Sequence, residues 1–165
     1  MAQKTAAEET LRELVAQRMV GLPEEEHDPE RGLPLQVTPF GAREVNAMLE
    51  VMLSTWVTMG KEVRAFEEEW AQWCGTDHAI MVNSGSSANL IALATLVQTG
   101  VLVPGDEVLV PAVAWSTTLF PVAQLGLVPV LVDICPNRLS LDPVAAKAAM
   151  GPRTKAAMVV HLLGQ

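Results

Sequence analysis

The sequence predicts an α/β fold with a mainly parallel sheet covered by helices on both faces. Three observations point to it. From His78 onward, short β-rich runs alternate with helical segments, the rhythm of strand-helix-strand units. One such run, Met81-Val82-Asn83, passes through Ser84-Gly85-Ser86-Ser87 straight into a helical pattern. Half of the 165 residues are hydrophobic, which allows a substantial core in a domain of ordinary size and excludes a disordered tail.

Leu11, Leu14, Val15 and Met19 recur at helical spacing and predict an amphipathic helix over Ala6 to Val20. Gly21 to Phe40 carries Pro23, Pro29, Pro34 and Pro39 with the acidic run Glu24 to Glu26, so residues 1–40 read as a helix followed by an extended arm. Residues 41–165 read as the α/β unit and its helical approach. Val45, Met48, Leu49, Met52 and Leu53 form one apolar stripe on a helix. In the next helix Val63, Phe66, Trp70 and Trp73 share a face, and Gly75 stands where a helix C-terminal stop belongs.

The expected strands are His78 to Asn83, Glu107 to Pro111, Val128 to Asp133 and Lys155 to His161. The helices between them are expected over Ser86 to Thr99, Ser116 to Leu125 and Pro143 to Met150. In such sheets ligands gather beyond the carboxyl ends of the strands.

Charge and composition narrow the function classes. The formal net charge is −8 and the 11 Lys and Arg are scattered without a basic stripe, against a nucleic-acid surface or an anionic membrane as main partner. No apolar run approaches the roughly 18 to 20 residues of a membrane crossing, and Glu8, Glu9 and Glu13 deny the N-terminus signal-peptide character. A cytoplasmic protein is expected. Cys74 and Cys135 form neither a CxxC pair nor a cluster with His, so no metal site is expected and both read as small buried residues.

The sharpest local feature is the turn at Ser84 to Ser87. Free N–H groups of the opening helix would converge just past a strand, with the hydroxyls of Ser84, Ser86 and Ser87 around them. Gly85 would allow a tight turn and close backbone approach. The dipole contributes on the order of 0.3 to 1 kcal/mol at an exposed site, so hydrogen bonds would supply most of the hold on a dianion. The alternative is that Ser84 or Ser86 simply caps the helix. The turn lacks the GK[ST] ending of a nucleotide loop and the three-glycine dinucleotide fingerprint, which favours a phosphate monoester.

Trp115, in Val110-Pro111-Ala112-Val113-Ala114-Trp115-Ser116, falls at the carboxyl end of the next strand. It either stacks on an aromatic ligand whose phosphate lies in the turn or fills the core beneath the loop. His161 ends the last expected strand and reads as a hydrogen-bonded structural residue, with His27 and His78 unremarkable. Asp106 reads as a turn residue and Asp133 as a loop cap.

Seven motifs in this order resemble a known family: Gly60-Lys61-Glu62-Val63 with Phe66-Glu67, Asn83 to Asn89, Pro104 to Val108, Ala114 to Thr117, Pro129-Val130 to Asp133, Thr154-Lys155-Ala156, and His161 to Gly164. From Phe40 to the last residue the chain is similar to the DegT-like sugar aminotransferases and keto-deoxyhexose dehydratases, fold-type I pyridoxal-phosphate enzymes acting on nucleotide-linked keto sugars. The resemblance implies an aspartate-aminotransferase-like large domain, present here as its N-terminal portion.

It implies pyridoxal 5'-phosphate as cofactor, with Gly85, Ser86 and Ser87 at the phosphate and Trp115 stacked on the ring. It also implies a homodimer, with a nucleotide-linked keto sugar and an amino donor as substrates. The Ser-Gly-Ser-Ser-Ala-Asn version and the lead-in Leu11 to Val15 are similar to the 3-dehydratase branch, whereas Trp115 stands where that branch is expected to carry phenylalanine. Amination and dehydration therefore both stay open, as does a non-catalytic phosphate-binding module.

In the family, the aspartate that pairs with the ring nitrogen and the lysine or histidine of the catalytic step are expected beyond Gln165. Lys4, Lys61, Lys147 and Lys155 match neither motif, so no catalytic residue is assigned within the chain. The family's first strand is separated from the next ones by strands formed later in sequence. The 165 residues alone are therefore expected to leave a gap in the sheet and open edges prone to aggregation.

Overall fold

The computed structural model describes residues 5–20 and 40–165, which fall into two compact units divided between Ala79 and Ile80. The Pro-rich arm and Lys4 lie outside the described residues.

The first unit is helical. Helix α1, Ala6–Met19, opens with a reciprocal cap: the Thr5 N–H donates to the Glu8 carboxylate at 2.8 Å and the Glu8 N–H to the Thr5 hydroxyl at 3.4 Å. Helix α2, Ala42–Leu53, packs against it, and Arg12 and Glu50 form an ion pair between them. Helix α3, Lys61–Cys74, stops at Gly75, whose φ of +68° is the left-handed value that glycine adopts without strain. The loop into α3 needs its own glycine. The indole of Trp56 bonds the Met59 carbonyl at 3.1 Å and lies so close to Gly60 that a Cβ there would meet the ring at 2.8 Å.

The expected apolar stripe on α3 exists but is uncovered: Phe66 stacks on Trp70, and Trp73 is 84% exposed. Cys74, expected to be buried, is exposed for the same reason, at the end of a helix in which only Ala71 is buried.

The second unit is α/β. Its helices are α4, Gly85–Gln98, α5, Ser116–Gln124, and α6, Pro143–Ala149; its strands are β1, Glu107–Pro111, β2, Val128–Val132, and β3, Thr154–Ala157. The sheet runs β2-β1-β3 and both pairings are parallel. The chain leaves β1 toward β2 and returns past β1 to reach β3. With right-handed crossovers this reversal puts α5 and α6 on opposite faces.

Val108 and Val110 of β1 are fully buried against Leu93, Leu102, Val122 and Leu127, and each such side chain stabilises the unit by about 1.5–3 kcal/mol. At the other end of β1, Glu107 is held by Arg153 at 2.7 Å and by the Thr154 hydroxyl at 3.1 Å.

Two strands differ from expectation. Residues 78–83 form no strand: the described sheet ends at β2 and β3, and offers this run no neighbour with which to build a ladder. Ile80 is accordingly 77% exposed. β3 stops at Ala157, short of His161, for a local reason. Leu109 accepts from Met158 at 2.9 Å, so alternate residues of β1 face β3, and the next to do so is Pro111, which has no N–H to give. The ladder therefore ends there.

Candidate functional site

The serine turn opens α4 and lies wholly in the second unit. Ser84 is the N-cap, with an extended backbone, and its hydroxyl accepts the Ser87 N–H at 3.2 Å. The capping role is therefore real, and it belongs to Ser84. Ser87 is engaged twice more: its hydroxyl donates to the Asn83 carboxamide oxygen at 2.6 Å and lies 3.2 Å from the Ser84 hydroxyl.

The cap leaves the first two amides of the helix, those of Gly85 and Ser86, without hydrogen-bond partners among the described residues, as is the Ser86 hydroxyl. A Cβ built on Gly85 would meet nothing within 4 Å, so the space before these donors is open. The φ of Gly85 is outside the left-handed region. The turn itself thus does not require glycine, contrary to the sequence-based expectation, and what glycine contributes is room.

Trp115 is the N-cap residue of α5, following the carboxyl end of the central strand β1. Its side chain is 81% exposed, which rules out the core position beneath the loop and leaves a free indole face. The Trp115 carbonyl accepts the Thr118 N–H at 2.9 Å, and Thr118 is buried, so the backbone that carries the indole is anchored.

A hydrogen bond ties the two helix starts together. The Asn89 carboxamide, on the second turn of α4, donates to the Thr117 carbonyl at 3.1 Å. That carbonyl is available because its helical donor would be residue 121, a proline inside α5. Sequence reasoning missed this tie, although its signal was present: a proline inside an expected helix orphans the carbonyl four residues earlier, and an asparagine stands alone in the apolar run of α4.

The other candidate residues make local hydrogen bonds. His161 lies beyond β3, and its Nδ1 is 3.0 Å from the Gln165 carbonyl. Asp106 accepts the Val103 N–H at 2.9 Å in a tight turn, and Asp133 accepts the Ile134 N–H at 2.8 Å after β2. Among the described residues no three His, Cys, Asp or Glu side chains gather as a metal would need, and no helix is long and apolar enough to cross a membrane. A hollow of about 690 Å³ in the first unit is lined by apolar side chains such as Val51, Val57, Met59 and Val63 and by the start of α3, whose first amides, those of Lys61, Glu62 and Val63, also lack an acceptor among the described residues; no cluster of serine hydroxyls accompanies them as at Ser84 to Ser87.

Residues 40–165 match the model of the DegT/DnrJ/EryC1/StrS aminotransferase family. The chain belongs to this family. Among its DegT relatives is GDP-4-keto-6-deoxy-D-mannose 3-dehydratase of Yersinia pseudotuberculosis, 41% identical over 133 residues, which are 79% of this chain and 34% of that one. The Escherichia coli GDP-4-keto-6-deoxy-D-mannose-3-dehydratase, solved with bound hydrated PLP, is 40% identical with a TM-score of 0.72, over 76% of this chain and 33% of that one. An aminotransferase from Psychrobacter cryohalolentis is 30% identical with a TM-score of 0.68, over 76% and 31%. The chain thus spans about a third of the length of these DegT relatives. Its α/β architecture is that of the fold-type I enzymes.

Proposed function

We propose that residues 41–165 form the phosphate- and ring-binding part of a pyridoxal-phosphate site in an enzyme that aminates a nucleotide-linked keto sugar. The observation that carries the reading is the pair of helix starts joined by Asn89: one presents the free amides of Gly85 and Ser86, the other an exposed indole. A phosphate monoester fits the first by charge and hydrogen bonding. A flat heteroaromatic ring carrying that phosphate fits the second.

In this reading Gly85 leaves room for the phosphate, and the Ser86 N–H and hydroxyl donate to it. Ser87 joins by turning its hydroxyl away from Asn83, while Ser84 holds the turn in shape. Trp115 covers one face of the ring, keeps water from it and fixes its plane. Once bound, the cofactor supplies an electron sink for bonds at the attached carbon. No side chain of these residues is assigned the proton-transfer step.

Dehydration at C3 of the same class of sugar is the second reading, favoured by the 41% identity to a protein named as a 3-dehydratase. A phosphate-ligand module without catalysis is the third. The resemblance adds a homodimer, and the sequence composition a cytoplasmic setting.

The test uses pyridoxamine phosphate, which has the ring and phosphate but no aldehyde to react with surface lysines. The chain, tethered at low density through its N-terminus, should bind it, and should bind pyridoxamine without the phosphate far more weakly. Equal binding of the two would refute the cradle. Incubating the purified gene product with a nucleotide-linked 4-keto sugar, cofactor and an amino-acid donor then separates the readings: an amino sugar marks the first, a 3-deoxy sugar the second, and unchanged sugar the third.

A further inference from the structure

We infer that Asn89 is a positioning residue that sets the serine cradle against the Trp115 indole; this rests on the cofactor reading above. The cause lies in α5. Pro121 removes the N–H that would close the helical bond to the Thr117 carbonyl, two residues beyond Trp115. A part-buried carbonyl without a donor is costly, so it takes one from another element. The donor is Asn89, five residues beyond the Ser84 cap on α4, at 3.1 Å.

The bond therefore links the second turn of α4 to the first turn of α5, the two helices that carry the two halves of the ligand site. A ligand gripped at both ends is sensitive to the spacing of its two contacts. A ligand gripped only at its phosphate is not.

The prediction separates positioning from mere satisfaction of the carbonyl. In the tethered chain, Asn89→Ala should weaken pyridoxamine phosphate binding roughly 3- to 10-fold, the loss expected for one neutral hydrogen bond. It should leave the affinity for inorganic phosphate, which needs only the cradle, unchanged. In a Trp115→Ala background the same substitution should have no further effect on pyridoxamine phosphate. Pro121→Ala returns the helical donor to Thr117, so Asn89→Ala/Pro121→Ala should recover stability without recovering affinity.

Recovered affinity in that double variant would show that Asn89 only satisfies the carbonyl, and would overturn the inference. So would an equal loss for inorganic phosphate, or unchanged pyridoxamine phosphate binding in both Asn89→Ala and the near-isosteric Asn89→Leu. If the unaltered chain bound pyridoxamine phosphate with no dependence on Trp115, the ring contact itself would fall, and the inference with it.

Discussion

The hydroxyl of Ser87 donates to the carboxamide oxygen of Asn83 at 2.6 Å, while the neighbouring Ser86 hydroxyl makes no hydrogen bond among the described residues. Two adjacent serines of one turn thus differ in what a phosphate must do to engage them. Ser86 loses only its water. Ser87 must also give up a short internal bond.

We expect Ser86→Ala to weaken pyridoxamine phosphate binding by about 1.5–3 kcal/mol, the range for a hydrogen bond to a charged group. Ser87→Ala should cost less, because the bond it forfeits to Asn83 offsets part of the loss. Affinities of the two variants check the order. A larger loss for Ser87→Ala would mean that the Asn83 contact is broken at no cost.

Much of this was legible in the residues. β1 is found where its branched run, set between Pro104-Gly105 and Pro111, places it, and Gly75 ends α3 as expected. The run 78–83 shows the limit. Its composition states a preference for strand, whereas a strand exists only with a hydrogen-bonded neighbour, and which neighbour is present is not a local property. Exposure was hidden for the same reason: helical spacing shows that Phe66, Trp70 and Trp73 share a face but not whether anything covers it. The serine turn was visible as a motif, yet the division of labour between Ser84, Ser86 and Ser87 depends on side-chain rotation, which spacing does not encode.

Glu44 gives a pH-dependent helix start. Its carboxylate accepts the Gly41 N–H at 2.8 Å, and this backbone bond, with a second at its own amide, holds its pKa below the usual glutamate value against an opposing desolvation, the nearby Arg43 charge adding least. The charged form is the one favoured in the folded state. Its contribution is therefore present above the unfolded-state value and lost as the pH falls through the depressed one. Titration followed by NMR should place the Glu44 midpoint below those of other exposed glutamates. Glu44→Gln should keep the contact but remove the acid-side loss of order in the first turn of α2. A Glu44 midpoint at or above the ordinary value would contradict this.

The outer edges of β2 and β3 bear no strand among the described residues, and Leu131 of β2 exposes apolar surface. Open edges of this kind template pairing between chains. Heating the 165-residue chain at tens of micromolar should give rising light scattering and no return of signal on cooling. A reversible, cooperative transition would refute the expectation.

The measurement closest to the central claim is hydrogen–deuterium exchange at low micromolar concentration, with and without saturating pyridoxamine phosphate. The amides of Gly85 and Ser86 have no acceptor among the described residues, so they should exchange fast in the free chain and slow in the complex, together with the segment that carries Trp115. Unchanged exchange at Gly85 and Ser86 under saturation, or protection confined to residues 50–64, would contradict the account.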